Sequence, residues 1–168
     1  MLLSESPSAY LAAIPDGPDG IAATLRLMAQ IVREWRTHPE VITLARQIVA
    51  HVPGKDYYGE ASALFDYVQG SVRYVRDVDG VETIQTPLVT LSQAAGDCDD
   101  QAVLLATLLS AIGHPARFVA GAFNGNPDFE HVWTETRIGN SWYAADPTEP
   151  VTFGWRPPRL TNRMIQWI

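Results

Sequence analysis

The sequence predicts an α+β fold in which an antiparallel sheet packs on helices, and three observations carry that expectation. Apolar residues at helical spacing fill the first half, strand-like segments crowd the second, and one strongly apolar helix stands at the boundary. With 168 residues, 46% of them hydrophobic and 18% charged, the chain reads as a single domain (1–168) large enough to bury its own core.

Residues 1–20 contain Pro7, Pro15, Asp16, Gly17, Pro18 and Gly20, the composition of an irregular arm. From Ile21 the pattern changes, with Leu25, Met28, Val32 and Trp35 following at helical intervals until His38-Pro39. Val41, Leu44, Ala45, Ile48 and Val49 repeat the signal up to Pro53-Gly54. Ala61, Leu64, Phe65 and Val68 do so again up to Gly70, so residues 21–71 form a helical part of three segments. Residues 72–76 (VRYVR) read as a short strand or extended link, and 82–95 fits neither period. Residues 97–112 are strongly helical, with Cys98, Ala102, Leu105, Leu109 and Ile112 on one stripe and Gly113 with Pro115 as the stop. Three strand-like segments follow, at 117–123, 131–138 and 141–146. The C-terminal segments 154–158 and 164–168 carry enough apolar surface to dock on the core or on a partner.

Charge and cysteine usage exclude several functions. The net charge of −7, from 12 Lys+Arg against 19 Asp+Glu, repels phosphate backbones and anionic lipid, so neither nucleic acid nor a membrane is an expected partner. The longest apolar stretch, 102–112, is too short to span a bilayer. The opening MLLSESPSAY lacks the basic and apolar regions of a signal peptide, which leads to the expectation of a cytoplasmic protein. One cysteine allows no intramolecular disulfide and no multi-thiolate metal site, and no cofactor is implied. A lone thiol is either a small buried hydrophobe or a reagent.

The setting of Cys98 favours the reagent. Asp97 is a good N-cap, so Cys98 falls in the first turn of a helix, where unpaired N–H groups and the macrodipole stabilise a thiolate. Asp97, Asp99 and Asp100 oppose that ionisation, so a thiolate here needs a cation, most simply an imidazolium. Hairpin geometry selects among the four histidines. A two-residue Gly139-Asn140 turn pairs Ile138 with Ser141 and puts His131 and Asp146 one diagonal step apart on one face. A three-residue loop would turn Asp146 to the other face. Thiol, imidazole and carboxylate are then a nucleophile, a base and a group that orients the base.

Four segments carry a family resemblance: Gly96-Asp97-Cys98-Asp99-Asp100 opening a helix, Gly113-His114-Pro115-Ala116-Arg117 leading into a strand, His131-Val132-Trp133 on the next, and Asp146-Pro147-Thr148 after a Trp-containing strand. Over residues 96–148 the sequence resembles the transglutaminase-like superfamily. The separations, 33 residues from Cys98 to His131 and 15 more to Asp146, suit that compact core rather than papain-type proteases, whose histidine lies far downstream. The resemblance implies a circularly permuted relative of the papain fold, with a central helix on an antiparallel sheet and a catalytic core at 96–148. It assigns Cys98 as nucleophile, His131 as general base and then acid, and Asp146 as the orienting carboxylate. The upstream helices and the stretch 81–87 also look like short members from tailed bacteriophages and prophages, which implies a bacterial host cytoplasm or a phage particle, with virion proteins as partners. His114 departs from the aliphatic residue more usual before that proline.

The reaction this implies is attack of the Cys98 thiolate on an amide carbonyl of a protein or peptide substrate, a thioester, and release by water or an amine. The Cys98 backbone N–H is one oxyanion donor; Gln85 and Gln93 are candidates for a second, each also readable as a structural glutamine, with Gln85 the better placed before Pro87. Trp133 shares the face of His131 and either lines the substrate site or is core. The Asp97, Asp99 and Asp100 cluster lacks the spacing of a calcium loop and reads as capping, so no metal is assigned. His38, His51 and His114 stand beside turn signals and read as surface or structural. Hydrolysis, which needs only water as acceptor, is favoured over crosslinking. The alternatives are a protein-crosslinking transglutaminase and a phage structural or accessory binding protein with a silent triad.

Overall fold

Prolines that look like punctuation in the sequence begin helices in the structure, a computed structural model that describes residues 9–11, 17–76 and 83–168. Helix α1 (Pro18–Trp35) carries Pro18 in its first turn after Gly17 at φ 76°, and α2 (Pro39–Val49) carries Pro39 likewise. Proline's missing N–H is one of the unpaired donors there in any case, and its fixed φ suits the helix. Both helices therefore start two to three residues ahead of their first periodic apolar residue. Helix α3 (Tyr57–Ser71) starts earlier still, because the Asp56 carboxylate accepts the Gly59 N–H at 2.9 Å.

The ambiguous stretch resolves into elements too short for any period to register. Strand β1 (Ala9–Leu11) pairs antiparallel with β3 (Thr83–Gln85), so part of the expected irregular arm is a strand. Strand β2 (Arg73–Tyr74) runs parallel to β4 (Ala95–Gly96), with α4 (Pro87–Gln93) between β3 and β4. The rest of the arm, residues 1–8 and 12–16, and residues 81–82 of the phage-like stretch lie outside the described residues.

Helix α5 (Cys98–Ala111) is buried from Asp100 to Leu109 without a break, not along a single stripe. Leu104, Leu105, Leu108 and Leu109 pack with Leu64 and Phe65 of α3. Ala102, Val103 and Ala106 pack against Leu25, Met28 and Val32 of α1. A helix apolar all round is one with neighbours all round. Thr107, which interrupts the apolar run, bonds the Val103 carbonyl at 2.6 Å.

One layer against α5 is a four-stranded antiparallel sheet of β5 (Ala116–Phe123), β6 (His131–Ile138), β7 (Ser141–Ala145) and β8 (Leu160–Trp167), in the order β7-β6-β5-β8. The Thr134 hydroxyl ties β6 to the Ala102 carbonyl of α5 at 2.9 Å. The C-terminal apolar segment thus docks on its own sheet, Ile165 opposite Val119. No described helix is long and apolar enough to cross a membrane.

Arg117 and Glu135 face each other across β5 and β6, with the guanidinium on Glu135 Oε2 at 2.9 and 2.5 Å. Trp142 and Trp167 cover that guanidinium, 4.1 and 5.0 Å from their ring centres. Glu135 is 2% exposed, and without Arg117 its buried charge keeps only the exposed Arg156, 3.9 Å from Oε1. Arg117→Met is expected to cost about 3–5 kcal/mol in urea unfolding, and adding Glu135→Leu to restore most of it; equal midpoints for the two variants would contradict this reading.

Candidate active site

Cys98 is delivered by the N-terminus of α5, and that terminus is held unusually firmly. Asp97 Oδ1 accepts the N–H groups of Asp99 at 3.0 Å and Asp100 at 3.2 Å, while Asp100 Oδ2 accepts the Asp97 N–H at 3.3 Å, a reciprocal capping box. Asp100 Oδ1 also takes the Gln85 N–H at 2.8 Å, tying β3 to the helix. Gly96 makes this possible: a Cβ there would sit 2.6 Å from the Asp100 Cβ. Asp100, 1% exposed, is therefore a buried structural acceptor.

The hairpin supplies the other two groups. Ile138 pairs with Ser141 across the two-residue turn, Gly139 has φ 60°, and the His131 Nε2 lies 2.6 Å from Asp146 Oδ2. Asp146 is 1% exposed, and its Oδ1 accepts the Thr148 hydroxyl at 2.7 Å and the Thr148 N–H at 3.2 Å. A carboxylate accepts only, so Nε2 is the nitrogen that donates in this bond.

Cys98 and His131 line one cleft of about 340 Å³. The thiol is partly buried, and its pKa is pushed well up, first by burial, then by the carboxylates of Asp99 and Asp97. Sγ lies 3.7 Å from Asp99 Oδ1. The Val132 backbone N–H, which donates to the sulfur, works against that rise without reversing it. Burial and acids thus outweigh the helix-terminal stabilisation expected from sequence, and they favour the protonated sulfur.

Other expected residues fall elsewhere. Among the described residues Gln85 does not line the cleft: its N–H serves Asp100, and its Oε1 is buried with no hydrogen-bond partner among them. Gln93 is exposed at the end of α4. Trp133 does not line the cleft either; it is 2% exposed and packs with Val119 and Ala144, its ring stacked 6.0 Å from the His131 ring. Gly121 leaves room for it, since a Cβ there would lie 2.8 Å from the indole. His114, 6% exposed, bonds Glu60 at 2.9 Å between α3 and the end of α5, and His38 accepts the Glu40 N–H at 3.4 Å beneath α2. The cleft wall also includes Tyr74, Arg76, Phe129 and Glu130, which sequence reasoning passed over. Tyr74 reaches the site because it pairs with Gly96, two residues before Cys98. A two-residue parallel bridge leaves no periodic trace, whereas Glu130 could have been picked out by its place beside His131.

The raised thiol pKa has a consequence for stability. Between an unfolded value of about 8.5 and the higher folded one, the folded state keeps a proton the unfolded chain has released, so stability falls as pH rises through that window. From about pH 8 to 10, denaturant unfolding of the wild type should weaken more steeply than that of Cys98→Ala; parallel curves would mean the thiol ionises normally.

The sequence profile of the transglutaminase-like superfamily matches residues 42–147. Among solved structures, a proposed cysteine protease from Cytophaga hutchinsonii is similar at 21% identity and a TM-score of 0.56, over 83% of this chain and 54% of that one. A proposed protease from Parabacteroides distasonis is 14% identical with a TM-score of 0.62, over 84% of this chain and 31% of that one. The Rad4–Rad23 complex bound to a 6-4 photoproduct UV lesion is 15% identical with a TM-score of 0.50, over 80% of this chain and 39% of that one. This chain spans about half of the first and a third of the second, and at these identities the likeness is one of fold. No protein with a curated description matches. The profile covers well over half of the chain, α5 and its hairpin included, and the protein belongs to the transglutaminase-like superfamily.

Proposed function

We propose that the protein is a thiol enzyme that transfers acyl groups from amides of protein or peptide substrates, with Cys98 as nucleophile, His131 as base and acid, and Asp146 as the group that orients His131. The observation that carries this is the 2.6 Å His131–Asp146 bond at the wall of the cleft that holds Cys98. Because burial, Asp99 and Asp97 keep the sulfur protonated at rest, His131 Nδ1 takes the proton as the sulfur attacks, instead of holding a preformed ion pair. The carbonyl carbon gains a C–S bond, and its oxygen becomes an oxyanion beside the Cys98 N–H at the start of α5. Collapse breaks the C–N bond, and His131 returns the proton to the departing amine. A thioester remains, and water, deprotonated by the same nitrogen, releases the acid and the free thiol. Hydrolysis is the favoured outcome because water needs no site of its own.

The test is acylation by p-nitrophenyl acetate, an uncharged ester, followed as nitrophenolate release and as acetyl-Cys98 by intact mass. Wild type should acylate at Cys98 alone, Cys98→Ala not at all, and His131→Ala about 10²–10⁴-fold more slowly. Equal rates in wild type and His131→Ala would overturn the proposal.

A further inference from the structure

An oxyanion that forms beside Cys98 meets one donor at the start of α5, the Cys98 N–H, and a full charge on oxygen is better held by two. Gln85 and Gln93 are not part of the cleft wall, so a second donor has to come from the residues that are. Among the described lining side chains that can donate, the Thr24 hydroxyl is buried, Thr83 has a partner of its own, and His131 is occupied by Asp146 and the sulfur's proton. Tyr74 and Arg76 remain.

Both are delivered by the short parallel bridge of β2 with β4. Tyr74 pairs with Gly96, two residues before Cys98, and the Val75 N–H donates to the Gly96 carbonyl at 3.1 Å, so the chain beyond the strand still runs alongside the helix start. Residues two apart on an extended chain point the same way, and Tyr74 and Arg76 both face the cleft. The Arg76 guanidinium hydrogen-bonds the Tyr74 hydroxyl. A guanidinium only donates, so the phenol oxygen accepts in that bond and its O–H is left to donate elsewhere. Burial, then the nearby Cys98, push the Tyr74 pKa above its ordinary value, against the pull of Arg76. The phenol therefore keeps its proton at neutral pH and is a donor there.

We propose that the Tyr74 hydroxyl is the second donor of the oxyanion hole, with Arg76 as the positioning residue that holds it. The proposal rests on the reading of the cleft as an acyl-transfer site. As the sulfur attacks, the carbonyl oxygen takes up the electron pair of its π bond between the Cys98 N–H and the Tyr74 O–H. No proton leaves Tyr74: it donates a hydrogen bond that strengthens as charge develops and weakens again on collapse. Arg76, donating to the phenol oxygen, polarises the O–H and fixes its direction.

Two reactions of the same sulfur separate this role from a change in thiol reactivity. p-Nitrophenyl acetate passes through a tetrahedral oxyanion, whereas iodomethane is attacked at a saturated carbon, iodide leaves, and no oxyanion forms. Tyr74→Phe keeps the ring at a position that is 46% exposed, so the fold loses little. It should slow acetylation of Cys98 about 10²-fold and leave methylation within about twofold of the wild type. Arg76→Met should slow acetylation by a smaller factor and add nothing in the Tyr74→Phe background, because it acts through the hydroxyl. Arg76→Lys, which still donates, should recover part of that loss. Tyr57→Phe, at an exposed tyrosine of α3 outside the cleft, should match the wild type. Equal acetylation by wild type and Tyr74→Phe, an equal fall in both reactions, or fully additive effects of the two changes would overturn the proposal. The response of acetylation to His131→Ala decides the acyl-transfer reading itself, so a loss there beside an unaffected Tyr74→Phe rejects the hydroxyl's role alone.

Discussion

The site depends on where the N-terminus of α5 begins and what it is tied to, and two carboxylates decide that, Asp100 buried and Asp97 partly buried. Asp97 and Asp100 together take up four backbone N–H groups, those of Asp97, Asp99, Asp100 and Gln85, at 2.8–3.3 Å. Hydrogen bonds of this kind to a charged acceptor contribute about 1.5–3 kcal/mol each, and leaving such an acceptor unmet in the interior costs more than its mean contribution suggests. Three of these bonds lie within residues 97–100 and fix where the helix begins; the fourth, from the Gln85 N–H, ties that beginning to β3, and the flanks of the helix are closed by α1, α3 and the sheet. Cys98 is consequently a rigid feature of the core that opens onto a cleft.

Against that fixed sulfur the sheet presents its own fixed group. The two-residue turn sets the register of β6 and β7, the register sets the face of Asp146, and Thr148 holds the carboxylate from behind. Trp133 closes the far side of the imidazole. The helix terminus and the hairpin are tied by the Thr134 bond to Ala102 and by the Val132 N–H on the sulfur. The electrostatics pull the other way: acids that cap the helix well are poor neighbours for a thiolate, and with burial they push the Cys98 pKa up.

Much of this was legible in the sequence where the signal is local. The Gly139-Asn140 turn fixes a register by counting, and Asp97 before an apolar run announces a helix start, so the partnership of His131 with Asp146 and the placement of Cys98 needed no coordinates. What was hidden is either too short or balanced by competing terms. Strands of two or three residues, such as β2 and β4, have no period, and with them went Tyr74 and Arg76. The direction of the Cys98 pKa was a contest between a helix terminus and burial with carboxylates, and only distances and enclosure show which is larger. Gln85 looked like an oxyanion donor from its place before Pro87, but its chain position is explained by the N–H it gives Asp100.

The central claim is that Asp146 holds the proton of His131 on Nε2 and leaves Nδ1 as the base. Nitrogen-15 NMR of the imidazole in uniformly labelled protein tests this most directly. The account predicts, at neutral pH, a single Nε2-bound proton protected from exchange, retained in Cys98→Ala and lost in Asp146→Ala. A proton found on Nδ1 alone, or one averaged between the two nitrogens in the wild type, would contradict it.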